Sequence, residues 1–417
     1  MRNIPQERIP DSTLALLRDP YRFITKRCER HQSDLFQTRV MLRKVICLQG
    51  KETAELFYDR SKFHRKGAAP ARIQKTLFGR KGIQGLNGED HQHRKKMFLD
   101  LMSTDRLNEL TRLSKENWLQ AAVDWQEQKQ VIFYDAIQEV LTRAVCQWAG
   151  VPLPESMVVK RTRQLVRLFD KAGNAGPKYY LARIARIQTN AWMKGLISQI
   201  RTRRYSPPPG SAAEVIALHR DLAGNLLPEE VAAVELLNVL RPVVAVSVYL
   251  TFVAMALENF PGCREELNES WTETYPEWFA QEVRRFYPFF PFVAAVVRND
   301  FVWKEYAFPQ GHWVFLDLYG TNHDQRIWDR PEEFKPSRFQ DWQQDPFTLI
   351  PQGGGEHAVN HRCPGEWITL ELMKLAVEVL RTRLTYHVPH ESFQLNFRRV
   401  PALPPNRFEI QAVKVLS

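Results

Sequence analysis

Apolar and polar positions follow two rhythms along this chain, and the helical one dominates. Residues 12–31 read as helix, with Asp11 or Ser12 as cap. Residues 35–48 (Leu35-Phe-Gln-Thr-Arg-Val-Met-Leu-Arg-Lys-Val-Ile-Cys-Leu48) are rich in β-formers and, with Gly50-Lys51 behind them, predict a hairpin. A short helix is expected over 51–60. A basic loop, Phe63-His64-Arg65-Lys66-Gly67, follows, and then a glycine-punctuated loop from Thr76 that runs into a basic helix near His91–Lys96. Helical periodicity fills 105–150 and 152–204, with breaks at Pro152, Pro154 and Gly173–Pro177. Residues 205–212 form an exposed loop between helical regions, not a domain linker.

The stretch from Pro228 to about Glu258 is apolar on most faces, so it predicts one long helix crossing the core. Residues 277–287 predict a helix, 293–316 strands, and 319–339 a turn-rich segment. A further helix is expected after Pro364, and β-hairpins over 384–417. The pattern as a whole implies a mainly α protein with a small β region. The chain of 417 residues is long enough for two or three domains, and equally for one large helical domain around a cofactor.

Composition narrows the function. Apolar content of 44% and charged content of 25% are ordinary for a globular protein. The net charge of +11 is spread along the chain, and clusters such as Arg201-Thr-Arg203-Arg204 are short and lack interleaved aromatics, which excludes nucleic-acid binding and favours anionic substrates. The five cysteines are odd in number and scattered, with no Cys-x-x-Cys, so neither disulfides nor zinc are expected and the compartment should be reducing. The segment Met1–Pro10 is charged and proline-broken, unlike a signal or anchor, and the apolar run Val243–Leu257 is short for a membrane span. A cytoplasmic protein without a transmembrane segment is the expectation.

Three places carry candidate chemistry. In Pro351-Gln-Gly-Gly-Gly-Glu356-His-Ala-Val-Asn360-His361-Arg362-Cys363-Pro364-Gly365, a glycine-rich loop leads to a cysteine at the mouth of a helix. The helix N-terminus, His361 and Arg362 would all favour thiolate over thiol. A lone cysteine is more often a small core residue, but a thiolate set in such a loop suits axial ligation of haem iron. Second, Arg241-Pro242 lies inside the long apolar helix. Proline there removes a backbone hydrogen bond at a cost of ~3 kcal/mol, and a core guanidinium needs a partner. That partner is either Glu235 or another carboxylate, or an anionic ligand. Third, Glu282 and Arg285 stand three apart on one helix face, where an isolated pair would be an exposed contact of little energy. His91, Arg94 and Lys95 read either as a solvated helix face or as partners for an anionic ligand. Pro288-Phe289-Phe290-Pro291-Phe292-Val293 is rigid and aromatic, suited to line an apolar tunnel or simply to pack a core.

Together these residues resemble the cytochrome P450 superfamily. Glu282-Val-Arg284-Arg285 is similar to its Glu-x-x-Arg motif, and Pro331-Glu-Glu-Phe334-Lys-Pro336-Ser-Arg338-Phe339 to its Pro-Glu-x-Phe-x-Pro-x-Arg-Phe segment. The resemblance implies one triangular, mainly helical haem-thiolate domain over 1–417, with Cys363 on the iron of haem b and Arg338 joining Glu282 and Arg285. The departures carry more information. Where the usual haem signature has Phe, Gly and Arg ahead of the cysteine, this chain has Glu356, Val359 and His361. Asn238–Val246 contains no Asp, Glu, Ser or Thr, so the usual acid–alcohol pair is missing and Arg241-Pro242 stands in its place.

That exchange resembles the bacterial fatty-acid peroxygenases. The resemblance implies that Arg241 binds a long-chain fatty-acid carboxylate, which then acts as the general acid–base for cleavage of hydrogen peroxide with no redox partner. Hydroxylation at the α or β carbon follows. A related branch makes terminal alkenes and has His where this chain has Gln84, so Gln84 resembles the hydroxylating branch, with decarboxylation as a side reaction. Phe78, Phe289 and Phe292 are implied as tunnel lining, and Arg65, His91, Lys95, His361 and Arg362 as haem contacts. Competing readings are an alkene-forming decarboxylase, a monooxygenase fed by a redox partner, and a non-catalytic haem and fatty-acid binding protein.

Overall fold

The computed structural model describes residues 3–170, 176–269, 274–389 and 393–416. In chain order the elements begin with α1 (Thr13–Arg18), α2 (Phe23–His31), β1 (Leu35–Val40), β2 (Arg43–Leu48), α3 (Lys51–Phe57), β3 (Phe63–His64) and α4 (Ala71–Ile73). Then come α5 (Gly88–Asp100), α6 (Thr104–Gln126), β4 (Gln130–Ile132), α7 (Phe133–Ala149), α8 (Val158–Asp170), α9 (Pro177–Arg201), α10 (Ala212–Leu218), α11 (Glu229–Ala245), α12 (Ser247–Asn259), α13 (Pro261–Glu269) and α14 (Tyr275–Phe286). The chain closes with β5 (Phe292–Val297), β6 (Phe301–Trp303), β7 (Tyr306–Phe308), β8 (Trp313–Asp317), α15 (Leu318–Asn322), α16 (Glu366–Thr382), β9 (Leu384–His387) and β10 (Glu409–Val415).

The chain divides into two compact units. One comprises Met1–Pro70, Gln281–Cys363 and Asn396–Ala402, and the other Ala71–Ala280, Pro364–Leu395 and Leu403–Ser417. The first is built on a five-stranded sheet of order β1-β2-β8-β5-β3. Its middle is buried on both faces, which is why β8, Trp-Val-Phe-Leu-Asp, has no polar–apolar alternation. Period-two geometry sends Phe292, Ala294 and Val296 of β5 toward the cluster of Phe23, Ile24 and Phe36. Val293, Ala295 and Val297 face the opposite cluster of Leu48, Phe57, Phe63 and Ile350.

The second unit is helical, with a small sheet of order β4-β10-β9. At its centre α11 and α12 pack on α7, α8, α9, α10 and α16. Glu229–Asn259 is long and apolar enough to cross a membrane, yet 94% of its apolar window is buried inside the fold, as a core helix must be.

The expectations hold in type and shift in detail. The helix expected over 12–31 is two, broken at Asp19-Pro20. Ser12 sits at the cap position without capping: its hydroxyl bonds Thr38 at 2.8 Å, and Asp11 accepts from the Thr13 amide at 2.8 Å. The long core helix is two, α11 and α12, meeting at Val246, whose amide still donates to the Pro242 carbonyl at 3.1 Å; the bond that Pro242 itself cannot make is the one to the Asn238 carbonyl. The C-terminal hairpins are a correction. Local alternation cannot reveal a partner far away in sequence, and β10 pairs antiparallel with both the distant β9 and β4. Of the break at Gly173–Pro177, residues 173–175 lie outside the described residues.

Candidate active site

In the first unit the Cys363 loop is held by side chains that its composition does not advertise. The Tyr58 hydroxyl accepts from the Gly354 amide at 2.8 Å, and the Tyr58 carbonyl accepts from Asn360 Nδ2 at 2.9 Å. Asn360 Oδ1 in turn accepts from the Glu356 amide at 2.9 Å. Gly355 has φ +78°, and a Cβ there would lie 2.6 Å from Asn360 Oδ1, so this position requires glycine. The Cys363 amide donates to the Gln352 carbonyl at 3.2 Å, while Gln352 Nε2 points at Cys363 Sγ, 3.7 Å away. Behind Gln352, Arg284 Nε donates to Gln352 Oε1 at 3.2 Å. A fully buried cation thus orients an amide donor toward the sulfur. The motifs quoted both residues without giving them this role, because the contact joins α14 to a loop some seventy positions later.

Two of the five cysteines, Cys263 and Cys363, are only partly buried, and Cys363 is the one that lies in the glycine-rich loop. Cys28, Cys47 and Cys146 are buried, and burial pushes their thiols up, Cys146 to about 12, which keeps them neutral. Cys363 is half-exposed and stands three residues ahead of α16. His361 and Arg362 are half-buried beside it in the chain, and Arg362 Nη1 reaches the Gly355 carbonyl at 3.4 Å. Arg65 donates to the Ala294 carbonyl at 2.5 Å and lies over the Phe57 ring at 4.7 Å. Phe289 is buried edge-on to Phe290 at 4.5 Å. Phe292 stacks on Phe315 at 4.6 Å within the core face toward α1 and α2, an arrangement that favours core packing.

Glu282 and Arg285 are not an exposed pair: both side chains are fully buried. Arg285 grips Glu282 through two bonds of 2.7 and 2.8 Å and also donates to the carbonyls of Asn322, Pro331 and Glu333. Arg338 Nε lies 3.1 Å from Glu282, and the Lys335 amide donates to the same carboxylate at 2.7 Å.

In the second unit, Arg241 is 5% exposed within α11, and Pro242 follows it. Glu235, the alternative partner, is engaged elsewhere: Arg94 Nη1 reaches it at 2.8 Å and Asn238 Nδ2 at 2.9 Å. Burial raises the Glu235 carboxyl above its usual range, Arg94 and Asn238 opposing the shift. Asn238 Nδ2 also stands 3.3 Å from Gln84 Oε1, and Asn238 Oδ1 is buried without a hydrogen-bond partner. Glu235, Asn238 and Arg241 follow one another at three-residue spacing, the signal by which Asn238 could have been found.

The Phe78 turn is clamped by Arg186 of α9, which reaches the Phe78 carbonyl at 3.4 Å and those of Thr76 and Leu77. Burial lowers the Arg186 pKa to about 10. Gly79, at φ +84°, leaves room for that guanidinium, since a Cβ there would lie 1.9 Å from Arg186 Nη2. On α5, His91, Arg94 and Lys95 are all buried rather than a solvated face, Lys95 to 1% exposure.

A family model described as Cytochrome P450 matches residues 274–412. Cytochrome P450SP alpha (CYP152B1), solved in complex with (R)-ibuprophen, is 49% identical over 98% of this chain and 100% of that one, with a TM-score of 0.96. The chain belongs to the cytochrome P450 family. Cytochrome P450EX alpha (CYP152N1), solved with myristic acid, is 42% identical over 100% of both chains at a TM-score of 0.96. Cytochrome P450 OleT, solved as a variant with arachidonic acid, is 32% identical over 99% of both at the same TM-score. These neighbours place this P450 in the fatty-acid peroxygenase branch, a group of oxidoreductases with a cysteine-ligated haem. Curated relatives match more narrowly: Cytochrome P450 71A8 of Mentha piperita is 30% identical over 30% of this chain, and the match spans about a quarter of its own length (26%).

The residues present fit a haem. One half-exposed cysteine has an amide donor aimed at its sulfur, which suits a thiolate ligand. Half-buried Arg65, in the same unit, is a basic group of the kind that haem carboxylates pair with.

Proposed function

We propose that this P450 is a hydrogen-peroxide-dependent hydroxylase of long-chain fatty acids, acting at the α and β carbons, with Cys363 as iron ligand and Arg241 as carboxylate anchor. The observation that carries the reading is the Arg241 guanidinium, 5% exposed in a helix stretch free of acids and hydroxyls. A guanidinium in such surroundings suits a fatty-acid carboxylate, which it binds in a bidentate contact. When bound, haem supplies the oxidising chemistry with peroxide. Without an Asp, Glu, Ser or Thr side chain over Asn238–Val246, the carboxylate held by Arg241 is the group that takes and returns the proton as peroxide is cleaved. Anchoring the head group fixes the α and β carbons as the reacting positions.

Gln84, held by Asn238, orients the head group and donates no proton near neutral pH, which favours hydroxylation over alkene formation. Phe78 and Phe289 line the path of the acyl chain; His91, Lys95 and Arg65 meet the haem propionates, and His361 and Arg362 flank the ligand. The reading includes a single functional P450 domain over 1–417, no redox partner, no nucleic-acid partner and a cytoplasmic location.

The test is product analysis of the haem-loaded protein given myristic acid and peroxide, with no reductase present. Hydroxy acids at the α or β carbon are expected. A dominant one-carbon-shorter alkene would overturn the reading of Gln84. Product formed only with a reductant and redox partners would overturn peroxide dependence.

A further inference from the structure

The first unit carries an apolar prominence that its own core does not use. Leu14 and Leu17 stand one turn apart on α1, 70% and 59% exposed, while Leu16 between them is buried. At the tip of the β1–β2 hairpin, Met41 and Leu42 are 48% and 77% exposed, and Ile9 is 48% exposed. Backbone hydrogen bonds bring the three segments together. The Ser12 amide donates to the Arg39 carbonyl at 2.7 Å, the Met41 amide to Thr13 Oγ1 at 2.6 Å, and the Leu42 amide to Asp11 Oδ2 at 2.6 Å.

The turn itself argues that these side chains are there for a reason other than folding. Val40 pairs with Arg43, so Met41 and Leu42 are the two central residues, and both have positive φ, 53° and 63°. A two-residue hairpin turn with that backbone is best made by Asn-Gly, which relieves the steric cost and exposes no apolar surface. Here two large apolar residues bear both penalties.

Charge says what covers the prominence. Arg39, Arg43 and Lys44 flank the tip, Arg18 ends α1 and Arg8 precedes Ile9; all five are exposed and none is in an ion pair among the described residues, though Arg43 lies over the Trp313 ring at 4.4 Å and Arg39 acts at longer range on Asp11. Asp11, the acid nearest the tip, spends its carboxylate on the Thr13 and Leu42 amides. Asp19 is bonded to Arg22 and Lys26. Apolar side chains projecting from a collar of exposed cations in net excess match an anionic bilayer surface, where the apolar groups enter the headgroup boundary and the cations meet lipid phosphates.

We propose that Ile9, Leu14, Leu17, Met41 and Leu42, ringed by Arg8, Arg18, Arg39, Arg43 and Lys44, form a peripheral docking site for an anionic lipid membrane. The site is independent of the chemistry proposed above. It would hold the enzyme where a fatty-acid substrate concentrates.

The test is co-sedimentation of the haem-loaded full chain with phosphatidylglycerol vesicles and with phosphatidylcholine vesicles, at low and high ionic strength. Binding to phosphatidylglycerol should exceed binding to phosphatidylcholine and weaken with salt. Met41→Asn with Leu42→Gly installs the favoured turn, so it should keep or raise thermal stability and leave peroxide-driven turnover unchanged. It should lower vesicle affinity by roughly tenfold or more, and Arg39→Glu with Lys44→Glu by a similar factor, since each cation at such a surface contributes measurably. Leu42→Ser serves if the turn variant folds poorly. Wild-type protein that stays in the supernatant at low salt overturns the proposal, as does variant protein that sediments as fully as wild type. A dimer that the turn variant converts to monomer, with no vesicle binding, would assign the surface to a second copy of the chain instead.

Discussion

Two fully buried glutamates, each bonded to an arginine, have opposite meanings in this molecule. Glu282 is saturated: Arg285 takes both oxygens, Arg338 and the Lys335 amide add to them, and Arg285 spends its remaining donors on three carbonyls. Glu235 is met by Arg94, Asn238 and the Ile83 backbone, yet around it Asn238 Oδ1 and Arg94 Nε are buried without hydrogen-bond partners. A closed polar network fixes one arrangement of the chain. An open one keeps unspent hydrogen-bonding capacity in the interior, which a fold tolerates where a ligand or water completes it. The first organises the turn-rich segment after α15, and the second reaches Gln84 and stands one turn from Arg241.

The largest expected effect is at the closed network. Glu282→Gln leaves Arg285 buried without its counter-charge and should cost about 3–5 kcal/mol, visible as a lower unfolding midpoint and poor haem incorporation. Next is Arg241→Leu, which should keep the fold and the haem while lowering fatty-acid turnover by about a hundredfold, because the head group is no longer placed. Undiminished turnover would put the anchor elsewhere.

The third prediction concerns pH and stays within the first unit. Burial raises the Asp317 carboxyl to about 7, against 3.8 when free. The folded state therefore keeps a proton that the unfolded chain loses, and stability falls as pH rises from 3.8 toward 7. Burial, helped by Arg285, lowers His323 to about 3, against 6.5 when free. There the unfolded chain binds the extra proton, and stability falls as pH drops below 6.5. Between 3.8 and 6.5 the two slopes oppose each other. Asp317→Asn should expose the His323 slope, so that the variant gains on wild type by about 1.4 kcal/mol per pH unit through that window, read by denaturant unfolding. A pH-independent difference would mean that Asp317 titrates alike in both states.

The smallest effect is at the open network. Glu235→Gln removes a charge that burial already disfavours, beside an Arg94 whose side chain is partly exposed where that of Arg285 is fully buried, and should cost only about 1–3 kcal/mol. It should shift the ratio of α- to β-hydroxylated product, because Asn238 loses the carboxylate that holds it against Gln84. If this variant unfolds as readily as Glu282→Gln, the distinction between open and closed networks fails.

Much of this was legible in the linear order. The helical rhythm, the hairpin at 35–48, the strands near 293–316 and the Cys363 loop rest on local chemistry, which neighbours in the chain decide. Arg241-Pro242 stood out by placing a proline and a guanidinium inside an apolar helix, against local rules. What the order of residues could not say is which groups meet across the fold. That Glu235 is spoken for, that Gln352 turns its amide to the Cys363 sulfur, that Arg186 clamps the Phe78 turn and that β10 joins β4 all depend on contacts between distant segments. The burial of Glu282, Arg285, His91 and Lys95 belongs with them. A charged residue on a helix reads the same whether solvent or core lies opposite, and only the packed chain removes the water that makes its partner matter.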